Sequence, residues 1–433
     1  HGHFAFGETA KESYDQIIVH TQKVADYLKI ENPTNLFTRN PHRASGVFPI
    51  IRGLIGDMIG PNSPMPIMDL RNGKDELQFL KRNDLEELST RGTASPDHVI
   101  RIKGRPLVLR ESVWSQGREA IKEELDKYAE EYKAMFERQA PQADQPKTML
   151  PTDPKNIWME GIGLIGLGAN AKAASIAGDL VVQNARVRAI GEDAGGFRPI
   201  SEKDLFDCEY WSLEQAKLGK GAPPKFQGKV VMITGGSGTI GFAIAEAFSK
   251  LGAQTILVDK DEIALKESVT KLGVGHKYFP IDVTHSDAAN QALLAAINNF
   301  GGLDILISNA GAAHAGPMLD ISNEELRNAF ELNFFSHYSF STEAAKILKD
   351  QNRGGQILFN ISKQAVNPGK NFGAYGLPKA TTFFLMRQLA LELGSDGIRV
   401  NGINADRIRS GLLTDEFISC LLYTSTLPTK QMV

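Results

Sequence analysis

Apolar runs alternate with amphipathic stretches throughout the second half of the chain. The runs are rich in β-branched residues and read VVMITG, TILVD, YFPID, DILISNAG, QILFNIS and IRVNGINA. Helical periodicity lies between them, at 240–251, from 261, at 286–300, at 323–349 and around 375–393. Strands that alternate with helices pair in parallel, because each crossover helix covers one face of the sheet. The pattern therefore predicts an α/β fold with a doubly wound parallel sheet.

The stretch LGKGAPPKFQG marks the clearest boundary in the chain. Its adjacent prolines and its glycines are incompatible with a helix or a central strand. We therefore expect a linker at 216–228, between a partial α/β region at 1–215 and a second domain at 229–419. Within the first region, apolar residues at helical spacing predict an amphipathic helix at 113–138 that packs on a core.

The composition is that of an ordinary globular protein. Of the 433 residues, 42% are hydrophobic and 23% are charged, which suffices for two or three domains with their own cores. The formal net charge of -3 favours neither a nucleic-acid partner nor a membrane partner. Cys208 and Cys420 alone cannot build a disulfide framework. Without a long apolar run or signal-peptide features we expect a cytoplasmic protein, and without an initiator Met we expect a piece of a longer one.

The first strand-to-helix turn of the predicted sheet reads TGGSGTIG. Gly235, Gly238 and Gly241 lie three apart, so the backbone can approach a pyrophosphate whose charge is met by the amide groups of the next helix. Asp259 ends the following apolar run, where a carboxylate can accept hydrogen bonds from ribose hydroxyls. It would repel a 2'-phosphate, which favours NAD over NADP, although Lys260 offsets part of that repulsion. A structural turn with a capping Asp is the alternative.

Glycines at a similar spacing occur in GIGLIGLG, at 161–168. No clear strand precedes them, so we do not expect a second dinucleotide site. The segment instead matches the start of the chain at an offset of 161 residues, pairing Gly7 with Gly168 and Ala10 with Ala171. This match predicts an internal repeat.

Residues 229–419 resemble the short-chain dehydrogenase/reductase family. The resemblance rests on the glycine turn, on Asp259 and on the motifs IDV, NAG, ELNFF, NIS, YGLPK and IRVN. It implies a Rossmann-type fold that binds NAD, with NADP less expected, and acts on a small-molecule substrate. The residues that would bind the cofactor are Thr234, Gly235, Ser237, Gly238, Ile240, Gly241, Asp259, Asp282, Val283, Asn309, Ala310, Gly311, Tyr375 and Lys379.

The same resemblance implies a catalytic set of Asn333, Ser362, Tyr375 and Lys379. Tyr375 would exchange a proton with the substrate oxygen, but the ordinary pKa of tyrosine is too high for a base at neutral pH. Lys379, one helical turn away, would supply the cation that lowers this pKa and would hold the nicotinamide ribose. Ser362 would hydrogen-bond the substrate oxygen, and Asn333 would anchor a water in the proton relay. Each has a common structural alternative. A Tyr and a Lys at helical spacing are usually a solvated pair, and a Ser that ends a strand is usually a turn residue or a cap.

The sequence departs from the family pattern at three positions. Ala405 and Asp406 stand where the family usually has a Pro-Gly pair. Pro378 lies inside the expected helix, where it removes one backbone hydrogen bond. We also expect the domain to be truncated before its last strand, and 420–433 to be a non-native tail, since CLLYTS is typical of translated adapter sequence.

The start of the chain, with RGTASPDHVIRIK and GIGLIGLGANAKAASIAGDL, resembles the class II aldolase/adducin part of bifunctional aldolase/short-chain dehydrogenases. That resemblance implies a metal-dependent aldolase that cleaves a sugar phosphate in rhamnose-type catabolism, and a dehydrogenase that acts on lactaldehyde. His1 would match the last of three zinc-binding histidines, but one histidine cannot hold zinc. Zinc and aldolase activity are therefore expected only of the intact parent, which we also expect to be a homo-oligomer.

Two hypotheses for the function follow. The first is an NAD-dependent oxidoreductase that transfers hydride to or from a small hydroxy-aldehyde or alcohol, with Tyr375 as acid and base. The second is a catalytically silent NAD-binding fragment whose front half is an adducin-like interaction domain. The sequence leaves the substrate and the direction of the reaction open.

Overall fold

The computed structural model describes residues 3–30, 46–61, 63–216, 221–313 and 315–405. The chain divides into two compact units. The first takes its described residues from His1–His42, Met68–Gly168 and Ala173–Ala222, and the second from Arg43–Ile67, Ala169–Lys172 and Pro223–Val433. Within the described ranges, no helix is long and apolar enough to cross a membrane.

The first unit contains a four-stranded sheet with the strand order β1-β4-β3-β2. Its strands are β1 (Ile67–Arg71), β2 (Leu107–Leu109), β3 (Asn156–Met159) and β4 (Gly163–Gly168). β2 and β3 are parallel, whereas β3 and β4 are antiparallel. The helices are α1 (Ala10–Leu28), α3 (Lys74–Phe79), α4 (Leu85–Thr90), α5 (Pro96–Ile102), α6 (Glu111–Trp114), α7 (Arg118–Gln139), α8 (Ala171–Asp193), α9 (Glu202–Glu209) and α10 (Ser212–Ala216).

The amphipathic helix expected at 113–138 is two helices. Gly117 adopts a φ of +94° and separates α6 from α7, because a left-handed backbone conformation cannot continue a right-handed helix. Ile121, Leu125 and Tyr128 on α7 are buried, in agreement with their expected role in packing.

The glycines of GIGLIGLG allow α8 to pack closely on β4. A strand, β3, does precede them, contrary to the sequence-based expectation. A Cβ at Gly166 would lie 2.2 Å from the Gly178 nitrogen, and one at Gly168 would lie 2.2 Å from the Ala174 nitrogen. α1 and α8 begin at positions that the proposed repeat matches, and the repeat stays a prediction.

The second unit contains the doubly wound sheet, which confirms the predicted fold class. Its strands are parallel and lie in the order β10-β9-β8-β5-β6-β7. They are β5 (Val230–Thr234), β6 (Gln254–Asp259), β7 (Lys277–Pro280), β8 (Ile305–Ser308), β9 (Gly355–Asn360) and β10 (Ile398–Ile403). The order reverses between β5 and β8, and ligands of such sheets bind beside the carboxyl ends of the strands at this switch point.

The helices of this unit follow the predicted pattern, with one difference. They are α11 (Thr239–Lys250), α12 (Glu262–Leu272), α13 (Ala288–Phe300), α14 (Asn323–Phe330), α15 (Ser336–Gln351) and α16 (Gly373–Leu393). The helix expected at 323–349 is divided by one π-helical turn, Glu331–Phe335. α16 continues through Pro378, which lies in its second turn.

The helix α2 (Phe48–Ile59) precedes most of the first unit in the chain but packs within the second. Arg52 on this helix is fully buried. It donates to Asp304 at 2.7 Å, to the Gln351 side chain at 2.9 Å and to the Gly228 carbonyl at 2.8 Å. A Cβ at Gly53 would lie 1.9 Å from the Gln351 carbonyl oxygen, so glycine allows this close approach. The expected domain boundaries stay a prediction, and they do not include this contribution of α2.

Candidate active site

A cleft of about 1500 Å³ opens in the second unit, beside the carboxyl ends of its strands. Its walls come from the turns after β5 to β10, from the end of α14 and the π turn that follows it, and from the start of α16. The predicted site residues on these walls are Gly235, Gly238, Ile240, Gly241, Asp259, Asp282, Val283, Asn309, Ala310, Gly311, Ser362, Tyr375 and Lys379. Thr234, Ser237 and Asn333 are not wall residues, but each is hydrogen-bonded to residues that are.

The turn after β5 is held in a conformation that requires glycine. Gly235 has a φ of +63°, and a Cβ there would lie 3.0 Å from the Ala310 Cα. A Cβ at Gly241 would lie 2.1 Å from the Gly235 carbonyl oxygen. α11 begins directly after Gly238, so its first amide groups and the positive end of its dipole border the cleft. This turn fits the pyrophosphate of a dinucleotide.

Thr234 and Asn309 connect the glycine turn with the end of β8. Thr234 Oγ1 accepts hydrogen bonds from the backbone N–H groups of Asn309 at 2.9 Å and Ala310 at 3.0 Å. The Asn309 side chain donates to the Thr234 carbonyl at 2.9 Å and accepts from the Asn360 amide at 2.8 Å. Because Thr234 is buried below the cleft floor, it supports the cofactor site instead of lining it.

The carboxylate of Asp259 lies on the cleft wall beside the glycine turn. One oxygen accepts from Ser237 Oγ at 2.6 Å and from the Ser237 N–H at 3.3 Å. The other oxygen accepts from the Lys260 N–H at 2.8 Å. Ser237 therefore orients the carboxylate from the turn that would hold the pyrophosphate.

Asp282 and Val283 follow β7. Asp282 Oδ1 accepts from the Thr284 N–H at 2.9 Å and from its hydroxyl at 2.7 Å, and these hydrogen bonds lower the pKa of Asp282. The aspartate thus shapes its own turn, whereas Val283 presents apolar surface to the cleft.

Ser362 and Tyr375 meet on one wall. Ser362 follows β9, and its Oγ accepts from the Gln364 N–H at 3.3 Å. Burial raises the pKa of Tyr375 above its ordinary value, and a hydrogen bond with Ser362 opposes that rise. Both hydroxyl groups therefore lie on the wall of the cleft that would hold the substrate oxygen.

Lys379 lies one turn further along α16 and is almost fully buried. Its Nζ donates to the Asn360 carbonyl at 3.0 Å and lies 3.4 Å from His337 Nε2 and 5.8 Å from the Tyr375 ring centroid. Burial lowers the pKa of Lys379 to about 8. Burial raises the pKa of Tyr375 in this structure, and the role of Lys379 in lowering that pKa stays a prediction.

The π-helical turn between α14 and α15 carries Asn333. Its side-chain amide donates to the carbonyls of Ala312 at 3.0 Å and Ala329 at 3.1 Å. Thr382 Oγ1, on α16, donates to the Asn333 carbonyl at 2.7 Å. A π turn displaces a backbone carbonyl from the regular helical ladder, and such turns are frequent at functional sites.

The Oδ1 atom of Asn333 is buried and has no hydrogen-bond partner among the described residues. A Cβ at Gly311 would lie 2.8 Å from this oxygen and 3.3 Å from Lys379 Nζ, so glycine leaves room between them. Buried polar atoms are usually satisfied by protein or by water. An acceptor so close to the lysine is suited to hold a water of a proton relay.

Several cleft residues were not singled out by the motifs, among them Thr239, Thr284, Asn360 and Gln364. Each of them lies at or within a few residues of the carboxyl end of a strand. The rule that ligands bind at these ends could have identified them. Thr382 and His337 could not be found in this way, because they act through contacts between separate helices.

The other predicted positions lie outside the described residues. These are the metal candidate His1, the departure at Asp406 and the tail at 420–433. Within the described ranges, no group of three or more His, Cys, Asp and Glu side chains is arranged to hold a metal ion.

Comparison with known proteins finds two family models in the chain. The model for the aldolase class II, second domain, matches 42–218, and the model for the short chain dehydrogenase matches 229–417. The uncharacterized oxidoreductase YuxG of Bacillus subtilis (strain 168) is 29% identical over 433 residues, which cover 95% of this chain and 62% of that protein. This chain therefore spans less than two thirds of the length of that relative.

Other relatives match the second half. General stress protein 39 of Bacillus subtilis (strain 168) is 34% identical over 206 residues, 46% of this chain and 70% of that protein. The crystal structure of a 3-ketoacyl-(acyl-carrier-protein) reductase from Brucella melitensis complexed with NADH is similar over 43% of this chain and 78% of that chain, with 27% identity and a TM-score of 0.42.

The parallel sheet, its glycine turn and the match at 229–417 define the class of protein: the second unit contains a dehydrogenase domain of a family that binds a nicotinamide dinucleotide. The chain belongs to the short-chain dehydrogenase/reductase family, and a class II aldolase-like region precedes this domain.

Proposed function

We propose that the protein is an NAD-dependent oxidoreductase that transfers hydride to or from a small hydroxy-aldehyde or alcohol, such as lactaldehyde. The observation that carries this proposal is that Ser362, Tyr375 and Lys379 line the same cleft as the glycine turn.

The preference for NAD is supported by Asp259. Its carboxylate is oriented by Ser237 and borders the cleft, where it can accept hydrogen bonds from ribose hydroxyls. A 2'-phosphate at the same place would meet like charge, and the neighbouring Lys260 would relieve only part of the repulsion. Val283 would flank the adenine, and the segment 309–311 would line the path to the nicotinamide.

The chain's own residues would manage the proton while the bound dinucleotide accepts or delivers the hydride. In alcohol oxidation, Tyr375 would take the hydroxyl proton, and in carbonyl reduction it would return one to the oxygen. Ser362 would donate a hydrogen bond to the same oxygen. The Lys379 ammonium would stabilise the tyrosinate, and water held at Asn333 Oδ1 would carry the proton to solvent.

The chemistry of the cleft supports a small, polar substrate. Its wall includes Asn328, Glu331, Gln364 and Asn367. Amide and carboxylate groups recognise hydroxyl groups, because both can hydrogen-bond to them. A hydroxyl group next to the reacting carbon would therefore find partners here.

We further propose that the parent protein is bifunctional, with an aldolase that cleaves a sugar phosphate and supplies the aldehyde. The match of 42–218 to the aldolase class II, second domain, supports this link. Any zinc of that reaction belongs to the intact parent.

A homo-oligomer is supported by apolar side chains that remain exposed on the second unit. On the π turn and α15 these are Phe335 and Tyr338, and on α16 they are Leu377, Phe384 and Leu391. Exposed apolar surface of this kind is typical of protein interfaces.

The proposal is tested by following NADH formation from NAD with lactaldehyde, 1,2-propanediol and sugar alcohols. We expect turnover of at least one of them, and a loss of about 10²- to 10⁴-fold in Tyr375→Phe, the usual contribution of a general acid or base. Tyr338→Phe is the matched control, since this tyrosine is exposed on the same unit. Turnover that survives Tyr375→Phe would refute the mechanism, and NADH binding without any turnover would favour the catalytically silent alternative.

A further inference from the structure

A buried histidine on α15 contacts the catalytic lysine of the proposed mechanism. His337 is 1% exposed. Its Nδ1 lies 2.6 Å from Ser308 Oγ, and its Nε2 lies 3.4 Å from Lys379 Nζ. The histidine therefore bridges the last residue of β8 and the lysine on α16.

The chemistry of the two neighbours determines the tautomer of the ring. An ammonium group donates hydrogen bonds and accepts none, so His337 Nε2 must accept from Lys379. The proton of the neutral imidazole then resides on Nδ1, which donates to Ser308 Oγ. A doubly protonated ring could not accept from the lysine.

The surroundings keep the ring neutral. Burial and the charge of Lys379 hold the pKa of His337 well below its ordinary value, and a backbone hydrogen bond with Ala310 opposes them only in part. Two other described side chains that contact the ring are uncharged: Ser308 and Phe359, whose ring centroid lies 6.0 Å away.

We propose that His337 is a positioning residue for the dehydrogenase reaction: oriented by Ser308, its neutral ring accepts a hydrogen bond from Lys379 and keeps that ammonium charged beside Tyr375. This inference rests on the proposed role of Lys379. A buried ammonium needs acceptors to stay charged, and the described contacts provide two, the Asn360 carbonyl and His337. Without His337 the lysine should lose its proton at a lower pH.

The test compares His337→Phe, which removes the acceptor, with His337→Gln, whose side-chain oxygen can replace it. The pH titration of Lys379 is followed by NMR in the protein without cofactor, with ¹³C-labelled lysine and Lys379→Met for the assignment. We expect the midpoint near 8 of the wild type to fall by about one pH unit in His337→Phe, the size of an ordinary local shift, and to return in His337→Gln.

The matched control is His276→Gln. His276 is also buried in the second unit, where it contacts Thr255 at 2.8 Å and Ser249 at 3.0 Å, and it is not a wall residue of the cleft. This variant should lose stability without moving the lysine titration. A merely structural role of His337 would make the two histidine variants behave alike.

Activity gives a second readout. In His337→Phe the alkaline limb of the kcat/KM profile should shift to lower pH by the same amount as the lysine titration. Because the NMR titration needs neither substrate nor cofactor, failure to find a substrate would count against the proposed function and not against this inference. An unchanged titration in folded His337→Phe, or a shift that His337→Gln does not reverse, would overturn it.

Two further measurements apply if His337→Phe does not fold. Ser308→Ala removes the partner that orients the ring, and it should shift the lysine titration in the same direction by a smaller amount. In the wild type, ¹⁵N NMR of the histidines should show His337 as the neutral tautomer protonated at Nδ1. A cationic ring, or one protonated at Nε2, would contradict the proposal.

Discussion

Replacing Arg52 by methionine should destabilise the second unit by about 3 to 5 kcal/mol, the usual cost of breaking a buried ion pair from one side. The guanidinium is fully buried, pairs with Asp304 at 2.7 Å and donates to the carbonyls of Pro66 and Gly228 at 2.8 Å each. Without it, the Asp304 carboxylate stays buried, and the half-exposed Lys229 lies 3.4 Å away. Since whole domains are stable by only about 5 to 15 kcal/mol, the loss should be large.

Urea denaturation followed by three probes locates the effect. All three tryptophans, Trp114, Trp158 and Trp211, lie in the first unit. Their fluorescence therefore reports on that unit. Circular dichroism reports on both units, and NADH binding reports on the second unit, which contains the cleft. We expect Arg52→Met to move the transition seen by circular dichroism and the loss of NADH binding to lower urea, and to leave the tryptophan transition in place.

The effect of Arg52→Met should depend on pH. Burial alone would raise the pKa of Asp304, but the charges of Arg52 and Lys229 and the hydrogen bonds to the carboxylate outweigh it, and the pKa is lowered. A lowered pKa in the folded state contributes stability at neutral pH that is lost as the pH falls through the acidic range. In Arg52→Met, burial of the Asp304 carboxylate prevails and raises its pKa. The variant therefore loses stability at every pH at which Asp304 is charged. The difference in unfolding free energy between the two proteins should therefore shrink as the pH falls.

The matched control is Arg353→Met. Arg353 pairs at 2.8 Å with Asp57, which lies on α2 like Arg52. This pair is more accessible, because the side chain of Arg353 is 22% exposed and that of Asp57 is 49% exposed. Exposed ion pairs contribute about 1 kcal/mol or less. Equal losses in the two variants, or a loss in Arg52→Met that does not change with pH, would refute the assignment of the buried pair.

The remaining predictions concern the cofactor. Gly235→Ala should weaken NADH binding by about 1 to 3 kcal/mol, because alanine is strained at a φ of +63° and its Cβ would lie 3.0 Å from Ala310 Cα. Fluorescence titration with NADH measures this loss. Gly273→Ala is the control, since Gly273 has a φ of +91° but no atom lies near the new Cβ. Asp259→Ala should reduce the preference for NAD over NADP about tenfold, since one lost charge interaction is worth about 1.4 kcal/mol. A ratio of kcat/KM values that does not change would count against the ribose assignment.

The sheet and the glycine turn of the second unit could be predicted because their signals are local. A run such as VVMITG followed by TGGSGTIG contains both a strand and the turn that a dinucleotide requires. The observed α11 begins within one residue of the expected start, and the six expected strands pair in parallel. Tyr375 and Lys379 could be predicted to lie together because four residues make about one turn of a helix.

Contacts between distant segments could not be predicted in this way. The π turn that interrupts the helix at 323–349 contains Asn333, whose carbonyl accepts a hydrogen bond from Thr382, 49 residues away in the chain. The link between Arg52 and Asp304 spans 252 residues. No local pattern marks either pair, because hydrogen-bond partners that meet only in the folded chain leave no spacing in the sequence.

The kinds of groups at the candidate site are therefore a property of the sequence, whereas their proton affinities are a property of the fold. Residue type and spacing sufficed to bring together a serine, a tyrosine and a lysine beside a glycine turn. They suggested a tyrosine made more acidic by its neighbour, but the fold buries both groups, which raises the pKa of Tyr375 and lowers that of Lys379 to about 8. Burial and the acceptor that His337 offers arise only when α15, α16 and the sheet pack together, because desolvation depends on what surrounds a group in space.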